Sequence, residues 1–368
     1  MSKKIRVGIL FGGKSAEHEV SLQSAKNVVE AIDKDKYEVV LIGIDKQGRW
    51  YLNDESHFLL NSENPKLISL NKSNKNVALV TGKSGEREIV SVTDHSSFGA
   101  IDVVFPILHG TFGEDGTVQG LLKLANVPFV GAGVLGSSVA MDKDVMKRLL
   151  RDAGIPIGKF LTFDRVSIET ANFAEIEKQL GLPVFVKPAN LGSSVGIQKA
   201  HTQTELEEAV KDACNYDTKI LIEEFIDGRE IECSVLGNED PIASVPGEII
   251  PQHEFYSYEA KYIDEQGALL EIPAKLPRDL VKQIQQLAIK AFKALCCEGM
   301  ARVDIFLTKD NKVLLNEINT IPGFTKISMY PKLWEVSGIP YSELIDKLIQ
   351  LAIERFEREQ KLKTNFEL

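Results

Sequence analysis

The sequence predicts an α/β protein of three units in series, and three observations carry that prediction. Near the start of the chain, compact apolar runs flank a segment of helical spacing, the pattern of a strand–helix–strand crossover in a parallel sheet. Farther along, apolar runs come in pairs joined by short polar turns, as antiparallel neighbours do. At 368 residues, 43% of them hydrophobic, the chain has material for more than one core.

The elements follow in order. "KKIRVGILFGG" is a buried strand that stops at two glycines. In "SLQSAKNVVEAI", Ala25, Val28, Val29 and Ile32 recur at helical spacing, and "YEVVLIGID" is the second strand. Residues 46 to 98, rich in Asn, Ser, Lys and Glu, form a hairpin excursion with short alternating pieces such as "NVALVTG". "IDVVFPILHG" resumes the buried pattern. "TVQGLLKLANVPFVGAG" supplies a helix and a further strand, closing a domain near Gly131. "SSVAMDKDVMKRLLRDAGIP" reads as one helix with a serine start, a Gly154 stop and Pro156 beyond it. "GLPVFVKPANLGSSVGIQKA" gives two strands joined by a glycine-serine loop. "HTQTELEEAV" opens a helix capped by Thr202 or Thr204, and "KILIEEFIDGREIECSVLG" gives two more strands. The remainder is an amphipathic helix, "PRDLVKQIQQLAIKAFKAL", the strands "ARVDIFLT" and "KVLLNEINT", and a closing helix, "YSELIDKLIQLAIERFE". Repeats and low-complexity tracts are absent.

Charge and cysteines narrow the function. The net charge of −10, from 43 basic against 53 acidic residues, disfavours a nucleic-acid partner, because phosphate neutralisation needs a concentrated basic face. A small substrate fits better. Cys214, Cys233, Cys296 and Cys297 form no C-x-x-C pair and no zinc spacing, which points to reduced thiols in a cytoplasm. "IRVGILF" is much shorter than a membrane span and lacks a cleavage site, so neither export nor a membrane anchor is expected.

Residues 8 to 15, "GILFGGKS", match the phosphate-binding pattern G-x-x-x-x-G-K-[ST]. That loop requires the strand to finish before its first glycine, whereas Ile9, Leu10 and Phe11 continue the apolar run. Gly8 is therefore expected inside a strand that delivers "GGKSAEHEVS" to the carboxyl edge of a sheet, where open α/β domains bind ligands. There Glu17 has two readings: a partner for an ammonium group, or a charge that favours a helix N-terminus.

Near the C-terminus, Glu317 and Asn319 lie two apart on one strand, so they share a face. Asp304 lies on the neighbouring strand, and the three oxygens suit magnesium, which takes one or two carboxylates plus substrate phosphates. Two other readings compete: Asn319 as turn chemistry, and Asp304 as the partner of Arg302. Lys187 ends an apolar strand and Lys143 sits in the first turn of a helix, against the dipole; a lysine so placed has a phosphate to meet. "NLGSSVG" has two readings, amides able to lie over phosphates or a plain hairpin turn, and together these signals point to ATP.

From "GGKSAEHEVS" through "LHGTFGEDGTVQG", "VKPANLGSSVGI", "FYSYEAKY" and "RVDIF" to "NEINTIPGFT", the sequence resembles the D-alanine:D-alanine ligases of the ATP-grasp superfamily. The resemblance spans essentially the whole chain. It implies an α/β (α+β ATP-grasp) fold: a Rossmann-like N-terminal domain over 1–131, a central domain over 132–223 and a C-terminal domain over 224–368, with ATP clamped between the last two. It further implies that Glu17 and His109 hold the first D-alanine. Lys143, Lys187, Ser193, Ser194, Glu223, Ile226, Glu230, Lys261 and Asn316 would bind ATP. Asp304, Glu317 and Asn319 would hold two magnesium (or manganese) ions. Arg302 and the Gly323 amide would stabilise a tetrahedral oxyanion, and Ser328 with the Met329 amide would hold the second carboxylate. Tyr262, on a loop closing over the nucleotide, would be linked to Ser193 and Glu17, and a Tyr there favours the dipeptide over a D-lactate ester.

The implied reaction joins two D-alanines through D-alanyl phosphate, for peptidoglycan, and the resemblance implies a homodimer. The competing readings are a D-alanine:D-lactate ligase or another ATP-grasp amino-acid ligase, a P-loop kinase resting on "GILFGGKS" alone, and a catalytically silent binding protein.

Overall fold

The protein is described by a computed structural model over residues 3–81, 87–251, 268–325 and 327–363. The first apolar run forms β1 (Ile5–Gly12), α1 (His18–Ala31) crosses over, and β2 (Tyr37–Ile44) returns parallel to β1 with Val7 opposite Val39. Gly8 lies inside β1, so "GILFGGKS" is a strand and its turn, not a phosphate loop. β3 (Trp50–Asn53) adds an antiparallel edge to β2. The polar excursion contains β4 (Leu59–Leu60) paired with β5 (Ser69–Leu70), and a three-stranded sheet of β6 (Val77–Thr81), β7 (Arg87–Ser91) and β8 (Ser97–Ala100). It is thus more than the one hairpin expected. β9 (Val103–Ile107) completes the first sheet, in the order β3-β2-β1-β9, and α2 (Thr117–Leu124) follows. The strand expected after α2 is reduced to an isolated bridge between Val104 and Phe129. Pro128 lies beside that bridge and has no N–H to extend a ladder.

The helix predicted across residues 137–156 is two: α3 (Val134–Met141) and α4 (Lys143–Asp152). The break is at Asp142, which is extended and accepts a hydrogen bond from the Val145 amide, capping α4, while the Lys143 amide donates to the Ala189 carbonyl at 3.0 Å. Next come β10 (Phe160–Asp164), a 3₁₀ turn (Ile168–Thr170), α5 (Phe173–Leu180), β11 (Val184–Pro188), β12 (Gln198–Ala200), α6 (Gln203–Ala213) and β13 (Lys219–Glu224). Thr202 caps α6. The strands form an antiparallel sheet, β10-β13-β11-β12.

A third sheet, β17-β16-β14-β18-β19, is built from β14 (Gly228–Gly237), β16 (Gly247–Pro251), β17 (Ala268–Glu271), β18 (Gly299–Thr308) and β19 (Val313–Asn319), with β15 (Ile242–Ala243) paired to β14. α7 (Arg278–Ala294) lays Ile284, Ala288 and Phe292 on Ile231, Cys233, Val303 and Ile305 of that sheet. The chain ends in α8 (Met329–Val336), which the sequence pattern did not reveal because Pro331 interrupts it, and α9 (Tyr341–Gln360). Pro331 falls in the first turn of α8, where a missing N–H costs nothing. Among the described residues no helix is long and apolar enough to cross a membrane, and the four cysteines are unbridged.

α9 ties the third unit to the first. Arg355, 4% exposed, donates to the carbonyls of Gly131 and Phe129, the latter at 2.7 Å, and lies 4.5 Å from the Phe129 ring centroid. Arg355→Met keeps the bulk and strands both carbonyls, so it should cost about 2–4 kcal/mol; chemical denaturation monitored by tryptophan fluorescence measures the loss.

Candidate active site

A cleft of about 370 Å³ lies where the second and third sheets meet the loops after β1 and β9. One wall is the β18–β19 ladder, which sets Asp304 opposite Glu317 and Arg302 opposite Asn319. The register shifts between Asp304 and Ile305, so that Ile305 faces Leu315 and Asn316 is the extra residue of a bulge. Before the bulge, Val313 and Leu315 point into the core; after it, Ile318 does. Without the extra residue, strict alternation would put Glu317 and Asn319 on the buried face with Leu315. The bulge turns both toward the cleft.

The three oxygen-bearing residues converge. Asn319 Nδ2 donates to Asp304 Oδ2 at 3.0 Å, which leaves its Oδ1 for a cation. Asp304 also takes both prongs of Arg302, at 2.8 and 2.7 Å, and Arg302 Nε stands 2.8 Å from Glu232. Asp304 therefore does pair with Arg302, as one reading of the sequence held, and also belongs to the cluster. Among the described residues no group of three His, Cys, Asp or Glu is placed to hold a metal; the set here is two carboxylates and one carboxamide. That set fits magnesium, whose remaining positions go to phosphates and water.

The opposite wall is basic. Lys187 Nζ is 2.6 Å from Glu223 Oε2 and Lys147 Nζ is 3.0 Å from Glu223 Oε1, all three buried. Burial works against the charge on Lys187, but Glu223 and Glu317 outweigh it and hold the ammonium above its ordinary range. Lys143 is lowered, by burial first and partly by Lys187, with Glu317 opposing; its ammonium donates to the Leu191 carbonyl at 2.5 Å. Glu317 thus acts electrostatically on both lysines, as expected of groups facing one another across a cleft. For Glu223, burial is opposed by Lys147 and Lys187, and the carboxyl falls to about 2 from 4.5. A depressed carboxyl stabilises the fold fully above its unfolded value, and that contribution is lost as pH falls from 4.5 toward 2. Glu223→Gln should therefore be less stable than the parent at pH 6, with the gap closing on acidification toward pH 3, as thermal melts across that range would show.

Between these walls lies the loop after β11. Ser193 and Ser194 both have positive φ, 50° and 62°, a strain concentrated at functional loops. Ser193 Oγ donates to Glu17, the N-cap residue of α1. Glu17 is 6% exposed and faces Gly110 and Gly192 so closely that a Cβ on either would strike its carboxylate. His109 is buried, with Nδ1 2.9 Å from the Ile321 carbonyl and Nε2 3.1 Å from Ser24 Oγ; burial pushes the imidazole down to about 4. It is neutral at neutral pH, with the proton on Nδ1, because a carbonyl only accepts. Gly323 closes this end: a Cβ there would come within 2.8 Å of Ser328 Oγ, which accepts from the Thr325 amide. Met329 opens α8 beside it. At the far end, Ile226, Glu230 and Asn316 line the cleft with Glu223, near the Phe185–Phe225 ring pair.

All expected site residues within the described range line this one cleft. Lys261 and Tyr262 lie outside the described residues. Reasoning from the sequence missed Lys147, Glu232 and Glu114. Lys147 follows Lys143 by one helical turn, a spacing that could have found it. Glu114 accepts from the Gly110 amide at 2.8 Å and the Ile321 amide at 2.9 Å; burial, then Glu17, pushes its carboxyl up to about 8.

Residues 6–132 match the family model described as D-ala D-ala ligase N-terminus, and residues 149–350 the model described as D-ala D-ala ligase C-terminus. The D-alanine–D-alanine ligase of Shouchella clausii is 62% identical over 365 residues, 99% of each chain. Among solved structures, the D-alanine-D-alanine ligase from Coxiella burnetii aligns with TM-score 0.83 at 42% identity, covering 98% of this chain and 97% of that one. The VanG D-Ala:D-Ser ligase from Enterococcus faecalis aligns with TM-score 0.83 at 38% identity, covering 95% and 100%. The chain belongs to the D-alanine–D-alanine ligase family of ATP-grasp proteins.

Proposed function

We propose that this protein condenses two D-alanines into D-alanyl-D-alanine at the expense of ATP, as a cytoplasmic homodimer supplying peptidoglycan precursors. The observation that carries the reading is the meeting, in one cleft, of Lys143 and Lys187 with Glu317 across from them. The domain division at residues 131 and 223 is supported by the three main sheets, with β13 crossing the second limit only at Glu224, although Ala140, Met146 and Leu150 of α3 and α4 pack into the core of the third sheet.

A carboxylate is a poor electrophile, so amide formation in water needs an activated leaving oxygen. A carboxylate oxygen of the first D-alanine attacks the γ-phosphorus, the bond to the β-phosphate oxygen breaks, and ADP leaves. Such a transfer depends on positioning and charge neutralisation. Lys143, Lys187 and the amides around Ser193 and Ser194 supply these from the protein, while Glu223, Ile226, Glu230, Asn316 and Lys261 seat the nucleotide. Magnesium or manganese, held by Asp304, Glu317 and Asn319, would neutralise further phosphate charge when bound. Glu17, with His109 beside it, orients the first ammonium; the resemblance also implies a role for Tyr262, which lies outside the described residues. The second amine, its carboxylate held by Ser328 and the Met329 amide, attacks the acyl carbon. Arg302 and the Gly323 amide meet the oxyanion, and phosphate departs as the C–O bond breaks, taking up the proton that the attacking amine sheds.

Purified protein with ATP, magnesium and D-alanine, with and without D-lactate, tests this by phosphate release and mass analysis. One phosphate per D-alanyl-D-alanine is expected, with D-lactate left unused. Absence of D-alanine-dependent phosphate release overturns the reading, and a D-lactate ester as main product reassigns the second substrate.

A further inference from the structure

Most of the hydrogen bonds on the turn that carries Gly323 come from outside its own unit. Ile321 has both backbone groups engaged by the loop after β9: its amide donates to Glu114 Oε1 at 2.9 Å, and its carbonyl accepts from His109 Nδ1 at 2.9 Å. Two residues on, the Phe324 amide donates to Ser24 Oγ at 3.2 Å, and the same hydroxyl meets His109 Nε2 at 3.1 Å. Glu114 closes the assembly on its own loop by accepting from the Gly110 amide at 2.8 Å. Pro322 and Gly323 lie between these fixed points and make no such bond. Phe324 itself is fully buried, edge-on to Phe105 of β9 at 5.8 Å between centroids. From within the third unit, Tyr341 of α9 donates to the Phe324 carbonyl at 2.7 Å, so the Gly323 amide is aimed from both sides: by side chains of α1 and of the β9–α2 loop, and by Tyr341.

We infer that Glu114, with His109 and Ser24, is a positioning clamp that fixes the Gly323 amide against the oxyanion, so that the first unit contributes to the geometry of acyl transfer. This rests on the proposed role of Gly323. A carboxyl group is costly in a buried place facing Glu17, and no apolar residue could accept from two amides of different units. An oxyanion donor works only within a few tenths of an ångström of its target, and displacement by about 1 Å can cost about 10²-fold.

The distinctive readout is coupling. When amine attack slows, D-alanyl phosphate is lost to water: a water oxygen attacks the acyl carbon, the C–O bond breaks, and D-alanine and phosphate are released. Phosphate is then made without dipeptide. In Glu114→Ala and Ser24→Ala, at saturating D-alanine, dipeptide turnover should fall about 10- to 100-fold, with phosphate released per dipeptide rising well above the parent's. Glu114→Gln, which keeps one acceptor, should fall between. A merely structural role lowers the active fraction and leaves the ratio unchanged. If Glu114→Ala does not fold, Glu114→Gln and Ser24→Ala carry the same measurement. An unchanged ratio in the soluble variants overturns the clamp, whereas a parent that makes no dipeptide overturns the functional reading instead.

Discussion

Arg302→Ala is expected to lower dipeptide turnover by about 10²- to 10³-fold, the loss typical of a single oxyanion donor, about 3–4 kcal/mol. Two further effects push the same way. The guanidinium stands 2.8 Å from Glu232 and grips Asp304 at 2.8 and 2.7 Å, so its removal takes this cation from between two carboxylates. Asp304 would also lose the orientation that sets it against Asn319. Arg302→Lys keeps the charge but cannot span both carboxylates, and should recover only part of the rate. Steady-state kinetics decides: the account expects the fall in kcat, with the KM for the first D-alanine changed by only a few-fold. A fall below about fivefold would remove Arg302 from the oxyanion site.

Glu317→Ala should be comparably severe, by a different route. Glu317 opposes the lowering of Lys143 and supports the raised Lys187, so its loss leaves that wall over-charged when the nucleotide is absent. It also removes one of two carboxylates from the oxygen cluster, and loss of such a ligand costs several kcal/mol of charge stabilisation. Turnover should fall about 10³-fold, and raising magnesium should restore part of it. A rate that ignores magnesium concentration in this variant would count against the cluster as the cation site.

The main strands and helices were legible because apolar periodicity is a local property: β1, β2, β9, α7, β18 and β19 all fall where the pattern puts them. The misses have physical causes. Asp142 divides a helix by accepting from its own chain three residues on, and Pro128 withholds the donor a further strand would need. At the site, residues two apart on one strand were correctly read as sharing a face. The reason that face is the open one was not legible, because it depends on the bulge at Asn316, and the two adjacent polar residues Asn316 and Glu317 within "LLNEIN" were its only trace. Glu114 could not be singled out at all. Its partners are the Gly110 and Ile321 amides, one of them 207 residues away, and backbone donors leave no signature in side-chain spacing. Arg355 was hidden for the same reason, its acceptors being the carbonyls of Phe129 and Gly131.

The decisive contrast lies between the two places where this chain could meet phosphate. Lys14 of "GILFGGKS" is exposed and rests 4.6 Å from the Phe112 ring centroid, whereas Asn319 faces Asp304 within the cleft. Binding of a non-hydrolysable ATP analogue, titrated calorimetrically with magnesium present and then chelated, separates them. The parent and Lys14→Ala should both bind more tightly with magnesium, and Asn319→Ala should lose most of that gain. Nucleotide binding abolished in Lys14→Ala, with the magnesium gain intact in Asn319→Ala, would contradict the account.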